Sequence, residues 1–295
     1  MSEAAGSNNP PTFTAIKVEY DGPIGRLILN RPEKLNALDW RMYRPGDEFS
    51  QALDALEANP DVKVIIIKGA GRAFSSGGDL QGEHGGKDLP PVDDLKWMEA
   101  LQSNALRLWR GSKPTISQVH GYCLAAGLIF AMASDLVYVA EDARLGQPEA
   151  RAIGMASDFA HWPLSIGLRR TKELLFTGDV VTGREAADMG MVNAALPPDE
   201  LEAYVEWIAH RIAMVDPDLL GLYKRAVNDV ADTMGLSQTF AIGAKYQALA
   251  HWIPRRQAFW AEIKEHGPKA AFRARDDAFG GATPRSALWE QHKQG

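Results

Sequence analysis

The sequence lacks several features that would assign it to particular classes of protein. It contains one cysteine, Cys123, so a disulfide within the chain is impossible and a reducing compartment suits it. Its longest apolar segment, residues 121–133, is too short to cross a bilayer, and residues 1–11 lack the apolar run of a signal peptide. These absences predict a cytoplasmic protein without a membrane partner, preceded by a disordered lead-in.

Charge and motif content exclude further classes of function. The net charge of −6 argues against a general nucleic-acid binder. The sequence has no metal-ligand spacing, Walker loop, GxGxxG fingerprint or GxSxG elbow, so we expect no metal, nicotinamide or flavin. No partner base is placed beside Cys123, which favours a small buried thiol over a nucleophile.

The pattern of elements changes near residue 199. Before it, strand patterns such as 62–68, 114–119 and 136–140 alternate with helix patterns, which predicts an α/β class. After it, only helix patterns remain. We therefore expect a lead-in over 1–11, a core over 12–198 and a helical C-terminal region over 199–295.

Two strands are each followed by a bend of small residues. One bend follows the strand at 62–68 and contains Gly77 and Gly78; the other follows the strand at 114–119 and opens a helix at Ala125 and Ala126. Such residues expose backbone N–H groups, and a helix start favours negative charge. For the second bend, taken alone, close packing of a buried helix on a sheet is the alternative explanation. Together, the two bends predict amides that converge on one oxygen, as in an oxyanion hole.

Five segments in order resemble the signature of the crotonase (enoyl-CoA hydratase/isomerase) family. They are NRPEKLNAL at 30–38, AFSSGGDL at 73–80, HGY through Asp135 at 120–135, LGQPE at 145–149, and the segment 175–193. The resemblance implies a spiral of ββα units and an acyl-CoA thioester substrate, with coenzyme A present only as part of that substrate.

The resemblance also implies roles for individual residues. The N–H groups of Ser76 and Ala126 would hold the thioester oxygen, and Glu149 would be the acid/base group. The substrate and its coenzyme would be contacted by Lys34, Leu35, Ala37, Ser76, Gly77, Gly78, Asp79, Leu80, Tyr122, Ala125, Ala126 and Pro148.

The chain departs from the family pattern at two positions. Hydratases of the family use two glutamates, and the first of these falls on Ile129, which cannot move a proton. Alanine stands at 126 where the family usually has glycine. A single carboxyl at Glu149 can still shift a double bond, if an apolar pocket raises its pKa toward neutrality.

Other side chains could replace the missing carboxylate. Asp158 and His161 lie three residues apart, so on a helix they would share a face and could reach the pocket. A capped helix start with an ordinary packed histidine is the alternative. Glu83 and His84 are weaker candidates. Two rival functions remain open: a C–C hydrolase of a diketone-like substrate that uses Asp158 and His161, and a non-catalytic acyl-CoA binder.

The helical C-terminal region carries aromatic and basic side chains. Phe240, Tyr246 and Trp252 are typical of packing either on the chain's own core or on another subunit, and the resemblance implies a homotrimer or a hexamer built as a dimer of trimers. Basic residues cluster over 253–275 and suit either the phosphates of coenzyme A or a solvated helix face. They are Arg255, Arg256, Lys264, Lys269, Arg273 and Arg275.

Overall fold

The computed structural model describes residues 10–42, 46–79, 89–155 and 161–294. Leu80, Glu83, His84, Asp158 and most of the predicted lead-in lie outside the described residues. The strands are β1 (Ile16–Asp21), β2 (Ile24–Leu29), β3 (Val64–Gly69), β4 (Thr115–Val119), β5 (Tyr122–Leu124), β6 (Leu136–Ala140), β7 (Arg144–Gly146), β8 (Val180–Thr182) and β9 (Ala194–Leu196). The α-helices are α1 (Glu48–Ala58), α2 (Pro91–Leu101), α3 (Ser103–Arg110), α4 (Ala126–Met132), α5 (His161–Thr177), α6 (Gly183–Asp188), α7 (Leu201–Ala213), α8 (Pro217–Thr233), α9 (Leu236–Ala250), α10 (Pro254–His266), α11 (Pro268–Asp277) and α12 (Arg285–Gln294).

The centre of the fold is a six-stranded sheet in the order β1-β2-β3-β4-β6-β9. β1 and β2 form an antiparallel hairpin, and each later pair of neighbours is parallel. The apolar run VIII in β3 is wholly buried, as expected for a strand covered on both faces. Because parallel strands end at the same edge, the loops that follow β3 and β4 begin side by side.

A second sheet of three short strands, in the order β5-β7-β8, lies beyond that edge. The sequence did not predict β5 or β8, because three residues are too few to show a period of two. Gly121 precedes β5 with φ +60, and a Cβ there would lie 2.1 Å from the Arg72 carbonyl oxygen. Cys123 in β5 is fully buried, which confirms the prediction of a buried thiol.

Several helices begin or divide at other residues than expected. The sequence pattern over 39–58 predicts one helix, but α1 starts only at Glu48, where the Asp47 side chain accepts the Ser50 N–H. The pattern over 93–110 likewise predicts one helix, which the structure divides at Gln102 into α2 and α3. Threonine before Gly183 predicts a helix cap, and Thr182 does cap α6 in a capping box with Glu185.

Within the described residues the elements after β9 are six helices, so the predicted α/β class with a helical C-terminal region is confirmed. α7 packs on the main sheet through Leu201, Val205 and Ala209, whereas α9 packs on α2. α11 and α12 were not predicted. No helix in the described ranges is both long and apolar enough to cross a membrane.

Candidate active site

A cavity of about 470 Å³ lies where the two bends of small residues meet the segment after β7. Gly78 lines it from the first bend, Ala126 from the second, and Glu149 from the third segment. Ile129 also forms part of the wall. The folding of the chain therefore brings together three segments that the sequence had linked only by resemblance.

The two bends are hydrogen-bonded to each other. The Ser75 N–H donates to the Tyr122 carbonyl at 2.9 Å, and the Leu124 N–H donates back to the Ser75 carbonyl at 3.0 Å. Gly77, with φ +100, lies so close to the second bend that a Cβ on it would be 2.7 Å from the Ala125 Cβ. The bends thus form one rigid surface rather than two independent loops.

One of the two predicted amides is occupied within the chain. The Ser76 N–H donates to the Leu35 carbonyl at 2.9 Å and is therefore already occupied. Among the hydrogen bonds of the described residues, the N–H of Gly78 has no acceptor, and Gly78 lines the cavity. Gly78, not Ser76, is the residue of the first bend whose amide is available to a ligand.

The predicted amide of the second bend is available. Ala126 is the first residue of α4, and its N–H likewise has no acceptor in the described part of the chain. The preceding Ala125 adopts φ +52, which is sparsely populated for a residue with a Cβ. Its N–H donates to the Gly146 carbonyl at 2.9 Å, which ties this bend to the end of β7.

Glu149 lies in a single 3-10 turn, Pro148–Arg151, just after β7. The residue is only 8% exposed, and burial raises the pKa of its carboxyl to about 7, although the positive charge of Arg275 acts in the opposite direction. With the Gln147 amide assigned in the orientation that satisfies both groups, its nitrogen lies 2.7 and 2.9 Å from the two carboxyl oxygens. Such a group can both accept and donate a proton near neutral pH.

Several residues predicted to contact the coenzyme hold the first bend in place. Asp79 is 7% exposed and forms ion pairs with Arg31 at 2.8 Å and Lys34 at 3.1 Å. The carbonyl of Leu35 accepts the Ser76 N–H, and that of Ala37 accepts Arg31 Nη1. Neither these residues nor Tyr122 belongs to the described cavity wall, whereas Ala125 and Pro148 do.

His161 does not reach the cavity. Its ring packs edge-on against Trp109 at 5.3 Å and Phe240 at 6.0 Å, in the interior between α3 and α9. It is not among the residues of the described cavity wall, which favours the alternative of a packed histidine over the predicted partnership with Glu149.

The helical C-terminal region also contributes polar residues to the cavity wall. His251 lines it, with Nδ1 2.8 and 3.0 Å from the two carboxyl oxygens of the fully buried Asp94. Arg256 and Arg275 line it as well and are only 5% and 6% exposed. Because both side chains are buried on the cavity wall, the solvated helix face is wrong for these two arginines, and a contact with the phosphates of coenzyme A stays a prediction.

No cluster of three or more His, Cys, Asp or Glu that could hold a metal occurs within the described ranges.

The cavity offers two backbone donors, one buried acid and one buried histidine–aspartate pair. This set can stabilise a carbonyl oxygen that gains negative charge and can move protons beside it.

The chain is similar to known proteins in both sequence and overall structure. A family model described as Enoyl-CoA hydratase/isomerase matches residues 19–254. A crotonyl-CoA hydratase from Syntrophomonas wolfei is 32% identical, over 83% of this chain and 97% of the relative. The crystal structure of an enoyl-CoA hydratase from Mycobacterium smegmatis superposes with a TM-score of 0.84 at 32% identity, covering 91% of this chain and 95% of that one. The crystal structure of an enoyl-CoA hydratase/isomerase from Xanthobacter autotrophicus Py2 superposes with a TM-score of 0.81 at 34% identity, covering 90% of this chain and 99% of that one.

Proposed function

The chain belongs to the enoyl-CoA hydratase/isomerase family, and we propose that it uses two backbone amides and one carboxyl on an acyl-CoA thioester. The N–H groups of Gly78 and Ala126 bind the thioester oxygen, and Glu149 transfers the protons. The observation that carries the proposal is that one cavity contains both available amides and a buried carboxyl with a pKa of about 7. Coenzyme A takes part only as a portion of the substrate.

The shift of a double bond illustrates how these groups would work. The Glu149 carboxylate takes a proton from the α carbon of a 3-enoyl-CoA, and the electron pair moves to the thioester oxygen. The two amides stabilise that oxygen as it becomes negative. Glu149 then returns the proton to the γ carbon, and the double bond settles between the α and β carbons.

This assignment predicts a pH dependence of double-bond migration with a definite sign. Since Glu149 must be ionised to take the first proton, kcat/KM for a 3-enoyl-CoA should rise as the pH increases through about 7. The measurement is the formation of 2-enoyl-CoA or its hydrated product across this range, with substrates of increasing chain length.

Two outcomes would contradict the proposal. A rate that falls as the pH rises through the same range would mean that the protonated carboxyl starts the reaction. Binding of acyl-CoA esters without turnover of any 2-enoyl or 3-enoyl ester would favour the non-catalytic binder.

We also propose that the helical C-terminal region mediates self-association into a trimer or a hexamer. α8 and the Met234 that caps its C-terminus carry a row of apolar side chains at helical spacing, each 44–65% exposed: Leu219, Tyr223, Val227, Val230 and Met234. Monomeric soluble proteins rarely expose such a contiguous apolar surface. The same helix is fixed to its own subunit through Lys224, which donates to the carbonyls of Leu108 and Lys113.

The double substitution Val227→Lys and Val230→Lys should reduce the size of the assembly. Two added charges in a buried interface would each lack a partner, which strongly opposes association. Light scattering with size-exclusion chromatography should give a multiple of three subunits for the wild type and a smaller particle for the variant. Asp229→Lys, at an exposed position between them, is the control. A monomeric wild type, or an unchanged mass in the double variant, would overturn the proposal.

A further inference from the structure

The histidine–aspartate pair on the cavity wall has a geometry suited to proton transfer. His251 follows the last turn of α9, and Asp94 lies in α2, 157 residues away in sequence. The Asp94 carboxyl is fully buried and accepts from His251 Nδ1 through both of its oxygens. Because Nδ1 donates to Asp94, Nε2 is the ring nitrogen left with a lone pair in the neutral tautomer.

The position of His251 is fixed relative to Glu149 by hydrogen bonds between their segments. Gln247, one helical turn before His251, accepts the Met155 N–H through Oε1 at 2.6 Å. After the helix, Arg256 Nε donates to the Ile153 carbonyl at 2.9 Å, and the Ile153 N–H donates to the Glu149 carbonyl at 2.9 Å. His251 is thus held between two anchors to the chain that follows Glu149.

His251 and Glu149 also face the same enclosed space. Both line the cavity, together with Gln247 and Arg256. Burial, followed by the charge of Arg256, lowers the pKa of His251, while Asp94 raises it, and the net shift is downward. The imidazole is therefore neutral at neutral pH and able to accept a proton.

We propose that His251 is the second proton-transfer group of this site and enables water addition, with Asp94 as its positioning residue. The inference rests on the proposed function, since it needs the same amides and Glu149. It explains how water can be activated in a cavity where, by the family resemblance, Ile129 stands in place of a second carboxylate. Glu149 alone serves double-bond migration, and His251 adds the base that water requires.

The proposed addition conserves atoms and charge. Nε2 of His251 takes a proton from water as the water oxygen bonds to the β carbon of a 2-enoyl-CoA. The electron pair of the double bond moves to the thioester oxygen, held by the Gly78 and Ala126 amides. The protonated Glu149 carboxyl then gives its proton to the α carbon, which yields the 3-hydroxyacyl-CoA. Transfer of the proton from His251 to the Glu149 carboxylate restores the starting state.

The decisive experiment compares two reactions in the His251→Gln variant. Hydration of 2-enoyl-CoA esters, beginning with crotonyl-CoA, should lose roughly a hundredfold or more in kcat, the usual contribution of a general base. Double-bond migration in a 3-enoyl-CoA should be retained. The wild type should therefore convert a 3-enoyl-CoA to the hydroxy product, whereas the variant should accumulate the 2-enoyl-CoA. His210→Gln, at an exposed position of α7, is the matched control.

Two further variants separate chemistry from structure. Imidazole added to His251→Ala should restore part of the hydration rate, which a purely structural role would not allow. Asp94→Asn should lower kcat for hydration more than it changes KM, because it alters the orientation of the ring rather than the binding of substrate.

Three results would overturn the inference: an equal loss of both reactions in His251→Gln, unchanged hydration in that variant, or a wild type that migrates double bonds but hydrates no 2-enoyl-CoA. Failure of the proposed function is distinguishable, because the wild type would then catalyse neither reaction.

Discussion

Replacing Glu149 with glutamine should reduce kcat for both hydration and double-bond migration by about 10²–10⁴-fold, the range typical of a general acid–base group. Glutamine keeps the size of the side chain and can still accept from Gln147, but it cannot carry a proton between carbon atoms. Because Glu149 is 8% exposed and burial already favours its neutral form, the neutral substitute should fold normally. Steady-state kinetics with both substrates provide the measurement.

Glu200→Gln serves as the control for this prediction, since Glu200 is exposed and lies at the start of α7. Its kinetics should match those of the wild type. Unchanged turnover in Glu149→Gln would remove the catalytic hypothesis and leave the non-catalytic acyl-CoA binder. The comparison with His251→Gln is informative as well, because Glu149→Gln should abolish both reactions and His251→Gln only one.

Gly77→Ala should lower kcat by about 10²–10³-fold through displacement of the Gly78 amide, comparable to the loss of one donor from an oxyanion hole. The added Cβ would lie 2.7 Å from the Ala125 Cβ and 3.0 Å from the Leu124 carbonyl oxygen, so one bend must move relative to the other. Both reactions should slow together, since both place negative charge on the thioester oxygen. Kinetics and a crystal structure of the variant measure the two effects.

Gly22→Ala is the control that separates the steric clash of an added Cβ from the backbone strain of a positive φ. Gly22 also has a positive φ, +55, but a Cβ there meets nothing within 4 Å, and the residue lies in the β1–β2 turn. The Gly22→Ala variant should lose some stability and keep the turnover of the wild type. If Gly77→Ala retained full activity while folded, the first bend would not supply the donor.

Ile129 gives these predictions their wider interest. It lies in the cavity wall, at the position where the family resemblance places the first glutamate of the hydratases. The relatives that match this chain are named for hydration as well as isomerisation. A base from a different part of the chain would reconcile the apolar residue with water addition.

The sequence alone determined the longer strands of the main sheet and the order of the segments. Each depends on neighbours along the chain: the run of isoleucines in β3 requires a strand buried on both faces, and the small residues before α4 require a tight entry to a helix. The resemblance added Glu149, because its motif is contiguous.

Only the tertiary structure decided which groups are free to act. The Ser76 N–H already donates to the carbonyl of Leu35, 41 residues earlier, and this leaves Gly78 as the available donor. Asp94 and His251 are hydrogen-bonded although they lie 157 residues apart in sequence, whereas the His161 ring packs against Trp109 and Phe240. Whether a donor is occupied, or a charge is buried, depends on partners that are distant in sequence. The local sequence pattern around a residue therefore does not predict them.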